Sequence, residues 1–246
     1  MKRLDWRYQL TIGLMAVSAA FHLINYLVFR DFGYMMRLLL GQLAFLPISV
    51  ILVTLVINQL LAVQARTTRL SKLNMVIGAF FSEVGTALLR VLSRFDEQLD
   101  NIRRQLASRE DRSKLNVAEL REVFQGHQSR IASQKGDLAG LQKFLFEKRM
   151  FLLRLLENPN LLEHETFTNL LWGVFHLGEE LDQREDLTRL SRHDYGHLAG
   201  DIERAYGLLI AEWLAYMEHL ERDYPYLFSL AVRTNPFDPS ASAEIE

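Results

Sequence analysis

Two pairs of residues at helical spacing have the chemistry of metal ligands. His193 and His197 lie four positions apart, and His176 is followed at the same interval by Glu180, with Glu179 beside it. Residues i and i+4 of an α-helix share a face, so each pair would present two donors in one direction. Two such pairs facing each other on neighbouring helices could hold zinc or iron through imidazole nitrogen and carboxylate oxygen. The candidate metal site is therefore His176, Glu180, His193 and His197. Two features weigh against it. The Glu-x-x-His repeat of carboxylate-bridged di-iron bundles is absent, and Gly196 weakens a helix between the two histidines. The competing reading is a group of solvated helix-end residues beside Asp182, Asp186 and Asp194.

A second set of polar residues sits in apolar surroundings. His22 and Asn25 are three apart in one uncharged stretch, and Gln42 lies in the next. Such residues are costly inside a membrane and normally face a protein partner or water. The simpler expectation is hydrogen bonding between the two stretches, with Gln42, Ser49 and Thr54 as partners. The alternative is a proton or ion path in a small homo-oligomeric channel or transporter subunit.

Other chemistry finds little support. The chain has no Cys, so thiolate nucleophiles, thiolate metal sites and disulfides are excluded. No G-x-S-x-G, phosphate-binding loop or G-x-G-x-x-G occurs. No catalytic residue, no cofactor-binding residue and no cofactor are expected. A net charge of −2 without a concentrated basic face argues against nucleic acid as a partner.

The elements that would carry these residues are helices. No Lys, Arg, Asp or Glu occurs from Tyr8 to Phe29 or from Leu38 to Ala65. Each stretch, at 1.5 Å per residue, exceeds the ~30 Å of a bilayer's hydrocarbon core. Trp6, Tyr8 and Tyr26 sit near the ends of the first, where aromatic residues favour the interface. Its basic start (Lys2, Arg3, Arg7) resembles a signal peptide, but the apolar run is too long and lacks a small-residue cleavage site. Residues 1–66 are read as a transmembrane hairpin with spans of about 8–29 and 38–63, the second kinked at Pro47. Lys2, Arg3 and Arg7 before it, and Arg66, Arg69 and Lys72 after it, outnumber Arg30 and Arg37 in the turn. That bias places both termini in the cytoplasm, with the bacterial inner (plasma) membrane as the expected location.

Beyond the hairpin, apolar residues recur every three or four positions from Leu70 through Ile77, Val84, Val91 and Leu99 to Leu106. This predicts a long amphipathic helix over 67–107 continuing from the second span. Gly78 and Gly85, seven apart, predict close helix packing. A cytoplasmic helical bundle should fill 108–232. Asn116 and Asp137 are expected to cap helices reaching Gln125 and Leu156, with later helices over Leu161–Gln183, to about Arg222, and from Pro225. Trp172, Trp213, Tyr206, Tyr216, Tyr224 and Tyr226 read as core or half-buried packing residues. Asn235-Pro236-Phe237 reads as a docking turn in a disordered tail, 233–246. No segment alternates as a strand would, so the fold class is all-α.

The expected function is that of a membrane-anchored helical protein acting through protein–protein contacts, as adaptor, scaffold or signal-coupling subunit. Its partners would be the lipid bilayer, a second copy of itself and an unidentified protein. A channel or transporter subunit is the alternative, and a His/Glu metal-dependent enzyme the third reading.

Overall fold

The computed structural model describes residues 6–107, 116–159, 161 and 164–244, leaving the side chains of 7 and 65–71 aside. Charged and small residues over Ser108–Lys114 read as a loop, and that stretch lies outside the described residues. Two compact units divide the chain, Met1–Arg66 and Thr67–Glu246.

The first unit contains α1 (Trp6–Phe29) and the first part of α2 (Phe32–Phe80). Arg30, in the left-handed region at φ 49°, ends α1, and its N–H donates to the Tyr26 carbonyl at 2.9 Å. Asp31 Oδ1 then accepts from the Tyr34 N–H at 2.9 Å, capping α2. Pro47 lies inside α2 without ending it. Tyr8–Phe29 and Phe32–Gln64 are long and apolar enough to cross a membrane, and none of either apolar window is buried. Of the side chains described in this unit, only His22, Asn25, Met35, Leu39 and Ser49 are half-covered. Each exposed Leu, Ile or Phe forgoes about 1.5–3 kcal/mol of burial in water. This surface suits an apolar solvent.

The second unit holds the closed core. After α2 come a π-helical turn (Phe81–Gly85), α3 (Thr86–Ser93), α4 (Leu99–Ala107) and α5 (Val117–Gln125). A short 3-10 turn at Ser133–Lys135 leads to α6 (Leu138–Leu156), α7 (Glu165–Asp182), α8 (Arg192–Asp223) and α9 (Pro225–Arg233). Among the described residues there is no strand, only an isolated antiparallel bridge between Asp96 and Ile131. The fold is all-helical. The central element is α8, which packs against α3, α5, α7 and α9. Lys72–Ser93 is also long and apolar enough to span a membrane, but 44% of its window is buried within this unit.

The single long helix expected over 67–107 is interrupted twice. At the first break the Thr86 N–H and hydroxyl both donate to the Phe81 carbonyl, the hydroxyl at 2.9 Å, closing a five-residue turn. Only glycine fits at 85, since a Cβ there would lie 2.5 Å from Phe81 Cδ1 and 2.8 Å from Phe80 Cε1. The Gly78 position is roomier, with a Cβ meeting Tyr216 Cε2 at 3.7 Å. At the second break the buried Asp96 takes over. Its Oδ1 accepts from the backbone of Gln98 at 2.9 Å and of Arg130 at 3.0 Å, and its Oδ2 lies 2.6 Å from His127 Nε2. An aspartate that satisfies nearby N–H groups in this way competes with helix continuation. The apolar stripe nevertheless stays inward, with Leu73, Ile77, Val84, Leu88, Phe95, Leu99, Ile102 and Leu106 buried.

Side-chain caps start the later helices. Asn116 Oδ1 accepts from the Glu119 N–H at 3.0 Å and Asp137 Oδ1 from the Gly140 N–H at 2.8 Å. His164 caps α7 through Nδ1, and Ser191 Oγ accepts from the Asp194 N–H at 3.1 Å to open α8, which continues unbroken through Gly196. The segment expected to begin a disordered tail is packed: Asn235, Pro236 and Phe237 are buried. Asn235 Oδ1 accepts from the Phe237 N–H at 3.0 Å. The Phe237 ring lies 4.8 Å from Phe124, 5.4 Å from Trp213 and 6.5 Å from Tyr206. Trp213 and Tyr206 are core residues, as expected, whereas Trp172, Tyr224 and Tyr226 are exposed.

Candidate metal centre

α7 and α8 are consecutive helices joined by the loop 183–191, and their pairings run in opposite directions: residue 176 meets 201 and residue 180 meets 197. Each helix supplies a His and a carboxylate one turn apart. From α7 come His176 and Glu180, and from α8 come His197 and Asp201. The four side chains form a ring. His197 Nε2 is 3.3 Å from Glu180 Oε2 and 3.3 Å from Asp201 Oδ2. His176 Nε2 is 3.9 Å from Glu180 Oε1 and 3.8 Å from Asp201 Oδ1. Ligand atoms of Glu180, His197 and Asp201 all lie within 4.8 Å of one another.

The two sides of the ring differ in access. The Asp201 side chain is 4% exposed, whereas those of His176 and His197 are 46% and 55% exposed. Asp201 Oδ1 accepts from Arg204 Nη1 at 3.1 Å, but its buried Oδ2 accepts no hydrogen bond. Arg184 Nη1 donates to Glu180 Oε2 at 2.9 Å. That bond holds the Glu180 carboxyl below its ordinary range; burial opposes it, and the charges of Arg184, His197 and His176 reinforce it. The arrangement brings one imidazole nitrogen and two carboxylates to one point, a partial donor set for a divalent cation, with His176 on the other side of the same two carboxylates. Without a cation the same atoms form a His–carboxylate ion-pair network.

Of the residues singled out from sequence, His176, Glu180 and His197 meet. His193, one turn before His197, is exposed and has no ion pair to the cluster among the described residues. Asp201 was missed, although its i+4 spacing from His197 repeats that of His176 and Glu180. In the first unit, His22 and Asn25 are half-covered and Gln42 is exposed. No side-chain hydrogen bond joins His22 or Asn25 to Gln42, Ser49 or Thr54 among the described residues, and Ser49 Oγ donates instead to the Leu46 carbonyl at 2.8 Å. The expected bonds are absent because α1 and α2 touch too sparsely to cover these side chains. Elsewhere in the second unit a cleft of about 860 Å³ is lined by Asn74, Gly78, Tyr216, His219 and Asp223. There His219 Nδ1 lies 2.7 Å from Asp223 Oδ2 and 3.2 Å from Asn74 Nδ2.

A chain of two uncovered apolar helices followed by a separately packed helical unit is a two-part all-helical protein. The comparisons agree on that division, and the chain belongs to the MJ1433 family. Residues 2–61 match the family's N-terminal helical domain and residues 69–233 match the C-terminal helical domain of "Uncharacterized protein MJ1433". The chain is 43% identical over 236 residues to Uncharacterized protein MJ1433 of Methanocaldococcus jannaschii, covering 95% of each. No solved structure matches it.

Proposed function

We propose that the protein is a membrane-anchored helical protein that acts through protein–protein contacts, as an adaptor, scaffold or signal-coupling subunit. The observation that carries this reading is the contrast between the two units. The apolar windows of Tyr8–Phe29 and Phe32–Gln64 have no buried residues, while the second unit encloses its own core. A lipid bilayer covers an apolar helical surface of this length, and apart from the turn before Pro47 and the helix ends the backbone polar groups are satisfied within each helix. The Lys/Arg distribution favours cytoplasmic termini. The bundle supplies a contact surface as well: Phe146, Met150 and Trp172 are 66%, 63% and 57% exposed on α6 and α7. Exposed apolar side chains of this size suit a protein partner, including a second copy.

The test is membrane fractionation followed by cross-linking in native membranes. The protein should stay with the membranes after alkaline extraction, and a discrete cross-linked species should disappear in Phe146→Glu/Trp172→Glu. Release by alkali would refute the anchor. A cross-linking pattern unchanged in the double variant would refute this contact surface.

A further inference from the structure

We propose that His176, Glu180, His197 and Asp201 bind a divalent transition-metal ion of the zinc class between α7 and α8. The inference concerns the bundle alone and does not rest on the membrane anchor.

Donor spacing is the first argument. A tetrahedral site with metal–ligand bonds of about 2.0–2.1 Å places its donors roughly 3.3–3.4 Å apart. His197 Nε2 lies 3.3 Å from an oxygen of Glu180 and 3.3 Å from an oxygen of Asp201. His176 Nε2 lies 3.8 and 3.9 Å from the other oxygens of these carboxylates, Asp201 Oδ1 and Glu180 Oε1, so its ring turns towards the shared side to complete the set when the ion binds. The second argument is Asp201 itself. Its carboxylate is buried, and Oδ2 accepts no hydrogen bond while facing His197. Burying such an oxygen is unfavourable unless a cation completes its environment.

The surroundings fit a bound ion. Arg204 donates to Asp201 and Arg184 to Glu180, so each carboxylate is oriented by a hydrogen bond from outside the ring. Each helix contributes a pair at i and i+4, which fixes the donors on regular backbone. Two imidazoles and two carboxylates, with no thiolate, favour zinc and its first-row neighbours over calcium or magnesium. The exposed imidazole side leaves room for water or a small ligand on the ion.

The experiment uses the full chain in detergent, stripped with a chelator and titrated calorimetrically with zinc chloride, with cobalt(II) absorption as a second readout. One ion per chain is expected, with cobalt bands of a four- or five-coordinate site. Asp201→Asn and His197→Ala should each weaken zinc binding by at least about tenfold, whereas His193→Ala should bind as the wild type does. Circular-dichroism melts of the stripped variants check folding. If Asp201→Asn does not fold, Glu180→Gln carries the same expectation. Absence of stoichiometric binding overturns the proposal. So does binding that survives in both His197→Ala and the folded carboxylate variant, or that falls equally in His193→Ala.

Discussion

Asp96 shows how much one buried carboxylate can organise. It follows the end of α3, holds the backbone of Gln98 and Arg130, and pairs with His127. Asp96→Ala would leave two N–H groups and an imidazole without their acceptor, so unfolding free energy should fall by about 3–5 kcal/mol. Urea titration monitored by far-ultraviolet circular dichroism measures this, and a loss under ~1 kcal/mol would rule out the organising role. Its neighbour Glu97 provides a pH signature. A hydrogen bond from Lys135, and then the charge of Lys135, hold its carboxyl below the ordinary range, with Arg130 adding to the effect against a small cost of burial. The folded value is lowered, so this stabilisation is complete above the unfolded value of about 4.3 and is lost as pH falls through the folded value. The melting-temperature difference between wild type and Glu97→Gln should therefore shrink between pH 6 and pH 3; a difference constant with pH would contradict it. Neither role was legible in the sequence. Asp96 falls within an apolar stripe whose spacing continues across it, and beside Glu97 and Asp100 it reads as one of a group of solvated charges. Asp201 escaped notice for the same reason, since only its contact with His197 and His176 across two helices distinguishes it.

The helices themselves were more legible than their interruptions. Asn116 and Asp137 were readable as caps because capping is local: the acceptor and the N–H it serves lie three residues apart. The π-helical turn at Phe81–Gly85 was not, because the crowding of Phe80 and Phe81 around Gly85 arises only after packing. Phe237 was singled out as part of a docking turn, but the surface on which it docks is this chain's own bundle. It fills the space between Phe124 of α5 and Trp213 of α8, and its removal should be felt as a core cavity. Phe237→Ala is expected to destabilise the bundle by about 3–5 kcal/mol, read from thermal or urea unfolding. A change near zero would mean that the terminal segment lies on the surface.

For the molecule as a whole, the boundary between apolar helices and polar bundle was written in charge placement. The two uncharged stretches are of membrane length and none of the residues in their apolar windows is buried, unlike a helix of a closed core. Orientation rests on fewer residues. With both termini cytoplasmic, a reporter active only outside the membrane should be silent when fused after Glu246 and active when inserted between Arg30 and Asp31. The reverse pattern would invert the topology, and activity at both sites would mean an odd number of crossings. The exposure of Phe146, Met150 and Trp172 was not legible, because exposed apolar residues differ from core residues only in which way the folded helices turn.

The position of Phe237 also sets an order of events. The apolar helices are synthesised first, and the aromatic residue that closes the bundle follows Arg66 by 171 positions. At the usual pace of translation this interval is roughly 9–34 s. Within it, Phe124 precedes Phe237 by 113 positions and Trp213 by 24, and each lacks this partner until Phe237 follows, so the core remains open at one end after the amino-terminal helices are complete. If the apolar helices anchor the chain as proposed, anchoring would precede sealing, and a nascent chain that stalls before Phe237 would be left with an unfinished core.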